Sequence, residues 1–181
     1  MNTFIALFRG INVGGNNILP MKELTAILTG LGLRDVKTYI QSGNVVFRSE
    51  KSDIAELSKE ITAAVDKSHG FAPRVLLLPL EELKKAIDSN PFPEGESDPK
   101  TLHLFFLSSA PAAPDFASLE KNKAASEKFR LIGAVFYLHA PDGIGRSKLA
   151  TSVEKAMGVA ATARNWRSVT QILAMAEEVA A

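Results

Sequence analysis

Two successive β-α-β-β-α-β patterns, separated by a stretch rich in proline and acid and followed by one more apolar-striped helix, predict an α+β protein. The order is that of the split βαβ, or ferredoxin-like, unit, here twice in tandem with a C-terminal helix. The expected division is 1–78 for the first unit, 79–100 for a helix and linker, and 101–181 for the second unit with the terminal helix. A chain of 181 residues suits one ordinary domain or two small ones.

The elements follow in order. Thr3 to Arg9 is a short apolar run and reads as a buried strand. A glycine loop, 10–17, leads to Pro20, which opens a helix with Leu24, Ile27, Leu28 and Leu31 on one face and Gly32 at its end. Val36 to Ile40 and Val45 to Arg48 are strands around the turn Gln41-Ser42-Gly43-Asn44. Ser52 is the expected cap of a helix buried through Ile54, Leu57, Ile61 and Val65 and closed by Gly70. Arg74 to Leu78 completes the first unit, and Pro79 to Ser89 reads as a short helix. Asn90 to Pro99 is the clearest linker.

The second pattern starts with a strand at Thr101 to Leu107 and a helix at Pro114 to Ala125. Two strands, Lys128 to Ile132 and Ala134 to His139, turn at Gly133. Pro141 to Arg146 is a second glycine loop, ahead of a helix from Ser147 to Met157. A short strand at Ala160 to Ala163 precedes a last helix capped by Asn165.

Composition excludes several chemistries. There is no cysteine, which removes disulfides, thiolate catalysis and thiolate metal sites. His69, His103 and His139 have no metal-ligand spacing, and His103 and His139 read as core or edge histidines with satisfied nitrogens. No cofactor motif is present. No apolar run approaches the ~18 residues of a membrane span and no secretory signal is visible, so the expectation is a cytoplasmic protein without membrane contact. The net charge of +1 gives no global attraction to nucleic acid. Positive charge does collect locally: five basic against three acidic residues over 1–50, and five against two over 142–170. These segments hold the glycine loops.

Three helix starts carry candidate chemistry. Arg9, Asn12, Gly14 and Gly15 lie in the first loop, whose backbone N–H groups can approach an anion. Gly145, Arg146, Ser147 and Lys148 form the second. Arg146 offers a planar fork for phosphate or carboxylate, and Ser147 can cap the helix. Cations at a helix N-terminus oppose the macrodipole unless an anion joins them, which is the best physical hint of a ligand here. Arg164, Asn165 and Arg167 mark the third, with Trp166 between them expected to pack in the core. GxGxxG, GxxxxGK[ST] and GxSxG are all missing.

The combination of Arg9-Gly10-Ile11-Asn12-Val13-Gly14-Gly15, Leu19-Pro20-Met21, Tyr39 to Phe47, Gly143 to Leu149 and Ala161 to Arg167 resembles domain-of-unknown-function family 1697. The resemblance implies a mainly bacterial, soluble protein of two ferredoxin-like subdomains, and it implies no activity. Similar sequences often place a lysine after the double glycine; this chain has Asn16.

The leading expectation is binding of a small phosphate-bearing or carboxylate ligand by the basic helix-start loops. The alternatives are a nucleic-acid-binding module using the same loops, recognised by length- and salt-dependent affinity, and a cofactor-free enzyme using Ser147 or a histidine in an acid–base role.

Overall fold

The computed structural model describes residues 1–181. The chain divides into two compact units: Met1–Lys85 with Gln171–Ala181, and Ala86–Thr170.

Unit 1 holds β1 (Asn2–Arg9), α1 (Met21–Gly30), β2 (Arg34–Tyr39), β3 (Asn44–Ser49), α2 (Ile54–His69) and β4 (Arg74–Pro79). The four strands form an antiparallel sheet in the order β2-β3-β1-β4. Because side chains alternate along a strand, Phe4, Ala6 and Phe8 of β1 face α1 and α2. They share a core with Val45, Phe47, Leu24, Leu28, Leu57, Ile61 and Val65. Ile5, Leu7 and Val46, which point the other way, are buried as well. That explains the unbroken apolar run of β1 where a half-buried strand would alternate. The C-terminal residues counted with this unit pair Glu178 with Lys37 (2.7 Å) and Glu177 with Lys84 (3.9 Å).

The cap of α2 is Asp53, one residue beyond the expected Ser52, and its Oδ1 accepts the N–H of Glu56 at 3.0 Å. Two adjacent oxygen-bearing side chains compete for one role, and a carboxylate also complements the helix dipole.

Unit 2 holds β5 (Leu102–Leu107), α4 (Phe116–Asn122), β6 (Lys128–Ile132), β7 (Val135–His139), α5 (Lys148–Met157) and β8 (Ala161–Asn165), in sheet order β6-β7-β5-β8. Two helices cross the division between the units: α3 (Leu80–Asp88) and α6 (Trp166–Ala180). Both sheets with their helices are the tandem ferredoxin-like architecture that the element order predicts. On one face of the second sheet Phe105, Leu107, Phe136 and Leu138 pack with Leu119, Leu149 and Val153. The rings of Phe116, Phe129, Phe136 and Phe105 follow one another at 6.4, 5.5 and 5.8 Å. On the other face Tyr137 is buried; its hydroxyl donates to the carbonyl of Ala86 at 2.6 Å, and burial pushes its pKa up to about 12.

The expected linker is not a loose tether. Pro93–Ser97 forms a 3-10 helix. Phe92 stacks on His139 with ring centroids 6.3 Å apart. A Cβ at Gly95 would lie 3.0 Å from the His139 ring and 3.1 Å from Leu102, so glycine fits where the segment presses on the sheet. Proline and acid reported a break in periodicity, and tertiary packing orders it.

Candidate functional site

The strand register decides which candidates meet. In unit 2, Leu102 opposes His139 and His103 opposes Asn165. The end of β7, the beginning of β5 and the end of β8 therefore lie at one end of the sheet. The loop from Ala140 to Ser147 leaves β7 there and enters α5, and Asn165 passes there into α6. Two basic helix starts are thus brought to the same sheet end, one on each side of β5.

Each start is capped by its own side chain. Ser147, buried, accepts the N–H of Ala150 at 3.0 Å. Asn165 Oδ1 accepts the N–H of Ser168 at 2.9 Å. The Ser147 hydroxyl is thus engaged as a cap. Neither helix has an acidic residue in its first turn. Gly145, Arg146, Lys148 and Arg167 are exposed. Arg146, Lys148 and Arg167 have no carboxylate partner. The loop's one carboxylate, Asp142, accepts from Ser126 Oγ at 2.6 Å.

Arg164 is placed differently. It opposes Leu104, so alternation sends it to the sheet face opposite Asn165. Its Nη1 donates to the carbonyl of Ala163 at 2.8 Å, and burial lowers its pKa to about 10, still cationic at neutral pH. Trp166 is buried, as expected of the lone tryptophan.

His103, expected from the sequence to be a satisfied core or edge histidine, stands in this region. Register places it beside Asn165, on the face that carries α5. It is buried at 8% exposure, yet its Nδ1 has no hydrogen-bond partner. Burial lowers its pKa to about 4, so the ring is neutral at physiological pH. His139 Nδ1 is also without a partner, 3.9 Å from Glu94 Oε1. Lys128 donates to that oxygen at 2.9 Å and holds the Glu94 carboxyl below its usual range. The two histidines are buried as their strand positions imply, but neither has both nitrogens satisfied. Apolar periodicity reports burial and carries no signal for a missing partner.

The first glycine loop belongs to unit 1. Asn12, Gly14, Gly15 and Asn17 all have positive φ, at 54°, 59°, 76° and 51°. The loop closes on itself: Asn12 N–H donates to the Asn17 carbonyl and Asn16 N–H to the Val13 carbonyl, each at 3.0 Å. The Asn12 side chain is fully used. Its Nδ2 donates to the carbonyls of Leu19 (2.9 Å) and Gln41 (2.8 Å), and its Oδ1 accepts from Leu19 N–H (2.7 Å). Arg9 stands at the end of β1, opposite Arg74.

No three histidine, aspartate or glutamate side chains stand together as a metal site requires. No helix is long and apolar enough to cross a membrane.

Comparison with known proteins follows this geometry. The family model described as "Protein of unknown function (DUF1697)" matches residues 1–137. The chain belongs to the DUF1697 family. The matched stretch contains Arg9, Asn12, Gly14 and Gly15; the motifs at Gly143–Leu149 and Ala161–Arg167 lie beyond it. This DUF1697 chain is also similar to a solved structure, the conserved bacterial protein SP0830 from Streptococcus pneumoniae. The TM-score is 0.72 at 26% identity, over 97% of this chain and 98% of that one. The likeness therefore extends through both units. No curated protein matches the chain.

Proposed function

We propose that the protein binds a small anion, a phosphate ester or a carboxylate, at the end of the unit 2 sheet where α5 and α6 begin. The carrying observation is the pairing of His139 with Leu102 and of His103 with Asn165. It sets two cationic, acid-free helix starts beside one strand. Arg146, Lys148 and Arg167 face their own helix dipoles unfavourably until a negative group arrives. Arg146 supplies the planar fork, Lys148 a mobile charge and Gly145 open backbone. His103 adds a neutral nitrogen lacking a partner beneath them.

The test is thermal stabilisation of the full chain by inorganic phosphate, sugar phosphates, nucleotides, carboxylates and short RNA. A ligand at ~100 times its dissociation constant stabilises by about 2.7 kcal/mol. One small anion is expected to raise Tm, with the shift lost in Arg146→Ala and reduced in Arg167→Ala. No shift with any small anion, or a shift indifferent to both substitutions, contradicts the reading. A response to RNA alone, growing with length and falling steeply with salt, favours the nucleic-acid alternative.

A further inference from the structure

The segment between α3 and β5 is a strap laid against the unit 2 sheet. It meets His139, the last residue of β7. Strand alternation turns His139 away from the face that carries Phe136 and Leu138. Both ends of the strap are tied. Asn90 Nδ2 donates to Glu96 Oε1 at 2.8 Å, and Asn90 Oδ1 accepts the N–H of Phe92 at 3.0 Å. The N–H of Thr101 donates to the Asp98 carbonyl at 2.9 Å and its hydroxyl at 2.7 Å. Between these ties the strap touches the ring through Phe92 and Gly95, so a change at the imidazole is felt directly by the strap.

His139 is only 9% exposed, and its Nδ1 is shut off from solvent with no hydrogen-bond partner. A buried ring nitrogen left unpaired is unfavourable. The Glu94 Oε1 atom stands 3.9 Å from it, beyond hydrogen-bond reach and an ion pair only when the ring is protonated. Both nitrogens of an imidazolium donate. The carboxylate is within about 1 Å of a charge-assisted bonding distance. Phe92, stacked on the ring with centroids 6.3 Å apart, offers its π-face to the same cation.

The other charges near the ring are accounted for. Lys128 is the register partner of His139 on β6 and donates to the same Glu94 oxygen at 2.9 Å. That bond holds the Glu94 carboxyl below its usual range, so it stays ionised while an imidazole titrates. Arg130 lies further along β6, opposite Tyr137, and is exposed. Leu102, the register partner on β5, is uncharged. Glu96 is engaged by Asn90, Glu127 by the N–H of Ala124 and Asp142 by Ser126. Asp98 and Lys100 are exposed. Glu94 is the carboxylate within ion-pair distance of the ring.

We infer that His139, Glu94 and Phe92 form a pH-operated latch on the 92–97 strap. On taking a proton, the ring donates from Nδ1 to the Glu94 carboxylate and draws the strap onto the sheet. When the ring is neutral, Glu94 is held by Lys128 alone and the strap opens more often.

The test is amide hydrogen exchange of the full chain between about pH 8 and pH 5.5, across the ordinary imidazole titration, with rates divided by the intrinsic rate at each pH. The probes are Gly95, Asp98 and Thr101, whose N–H groups are hydrogen-bonded within the strap. Their protection is expected to rise by about threefold or more on acidification, the size of a partly exposed charge-assisted bond. Amides of β1 serve as the reference for a global change in stability. The rise is lost in Glu94→Gln and in His139→Gln. Glu94 is 45% exposed, so Glu94→Gln keeps the fold and a lost response cannot be lost folding. Protection that ignores pH, that falls on acidification, or that rises equally in Glu94→Gln overturns the proposal.

Discussion

Unit 1 orders its strands β2-β3-β1-β4 and unit 2 orders its own β6-β7-β5-β8, the same arrangement reached through the same connections. The loops at their sheet ends differ in composition and in bonding. In unit 1 the connection after β1 is long and uncharged, and hydrogen-bonded to itself and to the 40–43 turn, with its aliphatic side chains outward. In unit 2 a glycine loop from Ala140 to Ser147 leads into α5 and Asn165 passes directly into α6, each helix is capped by the side chain that precedes it, and exposed cations flank the caps. One backbone plan therefore supports an apolar surface at one place and a cationic one at another. The sheet fixes where each loop emerges, and loop composition fixes what it can hold.

The largest expected effect breaks the unit 1 side. Gly43→Ala forces a Cβ into Phe8 and Ile11 at a residue with φ 78°. A loss of about 3 kcal/mol or more is expected in urea unfolding, from overpacking and backbone strain together. The loosened loop is also expected to lose protection of amides in 10–19 against hydrogen exchange. Retention of full stability would show that the loop and the turn are not joined as described.

The next effect sharpens the unit 2 side. His103 has a pKa of about 4 in the folded chain, against an ordinary 6.5. Its folded value is depressed by burial, so the unfolded chain binds its proton first as pH falls. Stability from this group is complete above about pH 6.5 and is lost progressively toward pH 4, by up to about 3 kcal/mol. Denaturation series across that range are expected to slope in the wild type and to flatten in His103→Leu. Equal slopes would mean that the ring is solvated or has found a partner.

Much of this was legible in the sequence because it is local. The buried run of β1, the stripe Leu57-Ile61-Val65 and the caps at Ser147 and Asn165 follow from periodicity and side-chain chemistry. The order of elements was enough to give the tandem architecture. What stayed hidden depends on partners far along the chain. The register that sets Asn165 beside His103 spans 62 residues, the difference of their numbers, and no local pattern encodes it. The ordering of 90–99 depends on Phe92 meeting His139. The left-handed backbone at Ile40 contradicts the residue's own preference, so propensity misses it by construction. Asn12 looked like a ligand contact and is occupied in joining two loops, a role visible only when Gln41 lies across from it.

The most direct test of the proposed anion site is one set of amide spectra of the full chain titrated with inorganic phosphate. The expected shifts fall at Gly145 to Lys148 and at Arg167 and Ser168, while Val13 to Ile18 and Ile40 to Gly43 stay still. Shifts centred on Gly14 and Gly15, or none at the α5 and α6 starts, would contradict it.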